Sequence, residues 1–136
     1  MGALPPRYAF ALNPYVDAGF TKCPRCEAKM FVRKLPLVIH VDGFGLVLLG
    51  KTCRLCPECE TLIAHQAHLD KLVGAVGSGA RQKYLVLGTV DRHVWRRGLE
   101  GRVSLDEVVE FMADFKTYLR VDVTPSGWYS KIGGAG

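Results

Sequence analysis

Between Met30 and Cys59 the chain reads MFVRKLPLVIHVDGFGLVLLGKTCRLCPEC, and the fold turns on this stretch. Two runs rich in branched and aromatic residues, MFVRKLPLVIHV and FGLVLLGKT, flank Asp42-Gly43. An Asp-Gly step between such runs predicts a β-hairpin with a type I′ turn, which needs positive φ at both central residues. Pro36 has no N–H to give a ladder, so its strand should have an edge or a bulge there. The second run enters CRLCPEC, with Cys53, Cys56 and Cys59 at three-residue spacing, and an earlier CPRC supplies Cys23 and Cys26 on the other side of the hairpin.

Cysteines separated by two residues can grip one metal ion, because the tight turn between them aims both sulfurs inward. Two such clasps complete a tetrahedron around Zn²⁺. Disulfides compete for the same residues, but nothing in the sequence indicates export, and cytosolic thiols stay reduced. Redox chemistry uses a single CxxC opening a helix, not a pair flanking a hairpin. CPRC and CPEC both place Pro directly after the first Cys, which presets a turn. That likeness selects Cys23, Cys26, Cys56 and Cys59 as ligands and leaves Cys53 as a small buried hydrophobe; the alternative uses Cys53 with Cys56. Four thiolates fill the coordination sphere, so the expected cofactor is one structural zinc ion, with no open position for catalysis and no small-molecule substrate evident.

CPRC, the hairpin, and CPECETLIAHQAHLD together resemble the zinc-binding N-terminal domain of MqsA/YgiT-type antitoxins, over residues 22–76. The resemblance implies a zinc-ribbon fold for the first half of the chain. Those antitoxins continue into a helix-turn-helix DNA-binding domain, whereas the remainder here reads as one helix between strands. The whole chain also looks like a group of small bacterial zinc-ribbon proteins, a likeness that carries no activity with it.

Outside the cysteine-bracketed hairpin, residues 1–21 read as an irregular arm, broken by Pro5, Pro6, Pro14 and Gly19. LIAHQAHLDKLVGAV places Leu69, Leu72, Val73 and Val76 on one helical face, and VGSGAR reads as a hinge. KYLVLGTV is a short apolar strand. SLDEVVEFMADFKTYLR, from Ser104 to Arg120, reads as the clearest helix: Ser104 caps it, Glu107 completes a capping box, and Leu105, Val108, Val109, Met112, Phe115 and Leu119 form a stripe. The aromatics Phe111, Phe115 and Tyr118 follow the same spacing. VDVTPSGWY reads as a final strand ending in a Pro-Ser-Gly turn. The expected fold is α+β: a four-cysteine zinc-ribbon lobe with its helix over 22–77, a small mixed strand-helix-strand domain over 80–130, and a tail over 131–136.

At 136 residues the chain can build one real core. Its net charge of +5 is uneven. Lys22, Arg25, Lys29, Arg33 and Lys34 face only Glu27, and Arg81, Lys83, Arg92, Arg96, Arg97 and Arg102 face only Asp91 and Glu100. Two basic blocks suit an anionic partner. In DRHVWRRG, arginines beside Trp95 fit nucleic acid, where guanidinium meets phosphate and indole stacks on a base, and fit an acidic protein face equally. The plain alternative has Trp95 anchoring the core while the arginines stay hydrated. Arg25, Lys29, Arg33, Lys34, Arg92, Trp95, Arg96 and Arg97 are therefore the candidate binding residues of a non-enzymatic module, nucleic-acid binding or else an adaptor in a protein assembly. Asp91 with His93 could be drawn as an acid–base pair, but no pattern assigns it a nucleophile. His65 and His68 could share a helix face without a third ligand, and His40 should point outward from the hairpin. The glycines lack the Lys-Ser/Thr of a phosphate loop. Asp42, His40 and the glycines interrupt the longest apolar run, and no signal-type core begins the chain, so a soluble cytoplasmic protein is expected.

Overall fold

The computed structural model describes residues 1–15, 18–76, 83–95, 101–119 and 129–130. The fold is mixed α/β and dominated by strands. In chain order the elements are β1 (Ala9–Asn13), β2 (Ala18–Gly19), β3 (Phe31–Val41), β4 (Gly45–Cys56), β5 (Thr61–His65), α1 (Gln66–Val76), β6 (Tyr84–Val90) and α2 (Arg92–Trp95). They continue as β7 (Gly101–Arg102), α3 (Leu105–Val108), a 3₁₀ turn (Val109–Phe111), β8 (Met112–Asp114), β9 (Thr117–Leu119) and β10 (Tyr129–Ser130).

The hairpin forms as expected, with β3 and β4 antiparallel from Phe31↔Leu55 to Val41↔Gly45. Its turn differs. Asp42 donates its N–H to the Lys83 carbonyl (2.8 Å), which ties it to the lead-in of β6, and Phe44 N–H closes on the Val41 carbonyl (3.0 Å). Positive φ therefore falls on Gly43 (76°) and Gly45 (111°), not on Asp42. A three-residue loop with a glycine re-entering the strand replaces the type I′ turn. Pro36 sits one residue before the pairing of β3 with β6 begins at Leu37, and the register shifts between Val38 and Ile39. Its missing donor is thus not wanted on that side.

The large sheet has the order β8-β6-β3-β4-β5-β1-β9, with β7 also on β4. β8 and β9 end the list at opposite sides, yet only Phe115 and Lys116 separate them in the chain. Three residue steps span at most about 10 Å, so the two sides must meet and the sheet curls back on itself like a barrel. The seam is hydrogen-bonded from both flanks: Phe115 N–H to the Leu87 carbonyl (3.2 Å) and Lys116 N–H to the Tyr8 carbonyl (2.9 Å). Inside lie Phe10, Leu37, Ile39, Val41, Val47, Leu62 and Phe115, with Leu69 and Val73 of α1 packed among them. Phe10 and Phe115 stack at 4.5 Å between centroids with 7° between planes. On the other face Val38 and Leu48 pack under Val108 and Met112, so β3 is buried on both sides from Pro36 to Ile39.

Several expectations are corrected. Residues 1–21 are no irregular arm: AFALN forms β1, held parallel between β5 and β9. The breakers Pro5, Pro6 and Pro14 bound this strand and do not interrupt it. The helix after Cys59 starts only at Gln66, because Thr61–His65 pairs with β4 and β1 as β5. The helix expected over 104–120 shrinks to Leu105–Val108. Its capping box does form, with Ser104 N–H on Glu107 Oε1 at 2.8 Å. Beyond it, Met112–Asp114 joins β6 and Thr117–Leu119 joins β1. Two strand edges with unmet hydrogen bonds outweigh a local helical pattern. The expected hinge falls largely on residues 77–82, outside the described residues, and strands from both sides of it share the one sheet. The tail over 131–136 and most of VDVTPSGWY also lie outside them; Tyr129–Ser130 pairs with β2.

Candidate metal centre

Two turns built alike bring the cysteines together. In the first, Glu27 N–H bonds the Cys23 carbonyl and Cys23 N–H bonds the Ala28 carbonyl, both at 2.8 Å. The second follows directly from β4. Each turn ends on a glutamate in the left-handed region immediately after its second cysteine, Glu27 at φ 63° and Glu60 at φ 51°. The hairpin carries the end of β4 back beside the start of β3, so the clasps before β3 and after β4 face each other.

The sulfurs of Cys23, Cys26, Cys56 and Cys59 all lie within 4.8 Å of one another. Cys23–Cys59 is 3.5 Å, Cys26–Cys56 is 3.4 Å and Cys56–Cys59 is 3.6 Å. Thiolates at about 2.3 Å from a tetrahedral zinc would be about 3.8 Å apart, whereas a disulfide requires about 2.05 Å. The spacing and the all-sulfur donor set fit a metal ion of the zinc type. Cys23 and Cys56 are buried, Cys59 is half-buried and Cys26 is exposed. Phe20, Met30, Ile63 and Ala11 pack against the group.

The thiols are unlike electrostatically. Burial pushes Cys56 up to about 12 and raises Cys23. Burial also acts upward on Cys59, but hydrogen bonds from Thr61, Cys23, Cys56 and Cys26 outweigh it and bring this thiol below its ordinary value. Four thiolates so close repel one another unless a cation is shared among them. Cys53 stands apart from the group, in the barrel interior, 3.5 Å from the Lys51 carbonyl. Burial pushes its thiol up to about 12 as well.

Of the sequence-derived binding residues, Lys29 lies exposed just before β3, and Arg33 and Lys34 lie exposed along it. Arg92 Nη2 donates to the Lys34 carbonyl at 3.4 Å, and Lys34 Nζ stands 5.5 Å from the Trp95 ring centroid. Trp95 is half-buried over Gly50, as in the core-anchor alternative. Arg25 is directed elsewhere, its Nη1 donating to Thr61 Oγ1 at 3.2 Å. Arg96 and Arg97 lie outside the described residues. Arg54, opposite Val32 on β4, joins the basic group and could have been found from the hairpin register. Among the described residues the ion pairs are Met1–Asp114, Arg7–Glu60 and Lys116–Glu60, so Lys29, Arg33, Lys34, Arg54 and Arg92 take part in none. Asp91 Oδ1 accepts the backbone N–H of His93 at 2.8 Å, a turn-closing bond and not an acid–base pairing of side chains. The His65 and His68 rings lie 5.1 Å apart, and His40 points out. Among the described residues, no helix is long and apolar enough to cross a membrane.

Comparison with known proteins adds no relative: no family model, no curated protein and no solved structure matches the chain.

Proposed function

We propose that the chain is a non-enzymatic binding module of the cytoplasm, in which Cys23, Cys26, Cys56 and Cys59 hold one structural zinc ion as a zinc-ribbon lobe and the basic stem of the β3–β4 hairpin meets nucleic acid. The observation that carries it is the group of four sulfurs lying within 4.8 Å of one another. Metal held there fastens the two ends of the hairpin and can add on the order of 10 kcal/mol to the folded state. The likeness to the zinc lobe of MqsA/YgiT-type antitoxins points the same way. Beside that lobe, Lys29, Arg33, Lys34, Arg54 and Arg92 carry positive charge with no ion pair to a described carboxylate, which suits phosphate.

A second reading, an adaptor for an acidic protein partner, is favoured by one feature. From Phe31 to Pro36 the side of β3 away from β4 pairs with no described strand, and Phe31 and Val32 are 46% and 56% exposed. An open strand edge can take an added strand.

Elemental analysis should find about one zinc per chain. A labelled oligonucleotide should bind at low salt and dissociate steeply as salt rises, and Lys34→Ala with Arg54→Ala should weaken it severalfold. Zinc without any retention of nucleic acid at low salt sinks the first partner and leaves the second.

A further inference from the structure

Thr61 opens β5 with its side chain buried and its backbone paired to Cys56 on one side and Ala9 on the other. Its hydroxyl oxygen lies 3.2 Å from Arg25 Nη1 and 3.1 Å from Cys59 Sγ. A guanidinium has donors only, so Arg25 donates and the threonine oxygen accepts. When Cys59 is a metal-bound thiolate it has no hydrogen to give, so the Thr61 hydroxyl is the donor between them. Arg25 itself sits within the first clasp, its backbone N–H standing 3.4 Å from Cys23 Sγ. One residue thus touches, directly or through a single hydroxyl, two sulfurs that are themselves 3.5 Å apart.

Resting on the zinc reading above, we propose that Arg25 and Thr61 are positioning residues of the metal centre: the Arg25–Thr61 relay orients Cys59 and steadies it as a thiolate ligand, and so sets how tightly the ion is held. Partners behind the ligands typically tune affinity by about 10–100-fold. Arg25 then belongs to the metal centre, not to the basic binding surface where its charge alone would put it. Thr61 carries no sequence signal for this role beyond standing two residues after Cys59.

The test uses the full chain and zinc alone. Zinc affinity is measured by competition with a chromophoric chelator in wild type, Thr61→Val, Thr61→Ser and Arg25→Ala. Thr61→Val keeps the shape and removes the donor, so affinity should fall about 10–100-fold, while Thr61→Ser stays within a few fold and Arg25→Ala falls between. With Co²⁺ as the probe, the sulfur-to-metal charge-transfer band should move to longer wavelength in Thr61→Val, since a thiolate relieved of a hydrogen bond gives up charge more readily, and should stay in place in Thr61→Ser. Wild-type zinc affinity shared by Thr61→Val, with an unmoved cobalt band, overturns the relay. If Thr61→Val does not fold, unchanged affinity in Arg25→Ala, where an exposed side chain is cut, overturns it instead. A wild-type chain that takes up no zinc overturns the metal reading itself, a distinct outcome.

Discussion

Replacing Phe115 with Ala, and Phe111 with Ala in parallel, separates a closed sheet from a helix over the same residues. On a helix both rings would share a face and cost alike. In the structure they do not: Phe115 is 6% exposed and Phe111 is 36% exposed. Phe115 stacks on Phe10 at 4.5 Å and meets the Tyr118 ring edge-on at 6.0 Å, so its ring locks β1 against the strand that closes the sheet. Removing a buried phenylalanine costs about 3–5 kcal/mol, within which the stacking share is about 0.5–1.5 kcal/mol. The exposed Phe111 ring should cost less than about 1 kcal/mol. With a urea dependence of about 2 kcal/mol/M, the midpoint for Phe115→Ala should fall by about 1.5–2.5 M, while Phe111→Ala shifts it by less than about 0.5 M. Far-UV circular dichroism across a urea titration of the metal-saturated protein measures both. Equal shifts, or a Phe115→Ala shift below about 0.5 M with an unchanged slope, would refute the closed sheet.

Gly50→Ala should lower the melting temperature by several degrees, since a Cβ there would stand 2.5 Å from Trp95 Cζ2 and 2.9 Å from Lys34 Cε, and overpacking costs about 1–3 kcal/mol; an unchanged transition means Trp95 does not rest on that strand. Burial first, and then the hydrogen bond to Asp70 Oδ1 at 2.6 Å, raise the Tyr84 phenol. A folded value above the unfolded one leaves stability intact below the ordinary tyrosine range, about pH 10, and withdraws it as pH climbs past that range. Wild type should therefore lose stability in alkali faster than Tyr84→Phe, and parallel curves contradict the contact. Cys56→Ala should purify without zinc, while Cys53→Ala should retain it and lose only packing stability, about 1 kcal/mol; zinc loss in both variants would put Cys53 among the ligands.

The hairpin was legible because its signal is local: two runs rich in branched residues are separated by an Asp-Gly step. The cysteine spacing was legible for the same reason, as each clasp is four residues of chain and the hairpin brings the two together. β1 was not. AFALN is too short to show a period, and its neighbours in space, Thr61 and Thr117, are far away in sequence. The segment from Met112 to Leu119 misled because Met112, Phe115 and Leu119 fit a helical stripe as well as they fit a bent strand. Its choice is made by β6 and β1, whose open edges the sequence does not display. The Arg25–Thr61 contact was illegible because it needs the first clasp folded against the start of β5.

The placement of β1 has a consequence for how the chain comes to be made. It is synthesised before the other described strands, and it lies between two partners of which one, β9, comes long after it in the chain. Until Thr117 has been synthesised, an apolar segment waits with one flank bare, so completion of this fold is a late, long-range event and slow by nature. Chains stalled short of that residue would offer AFALN to chaperones or to one another.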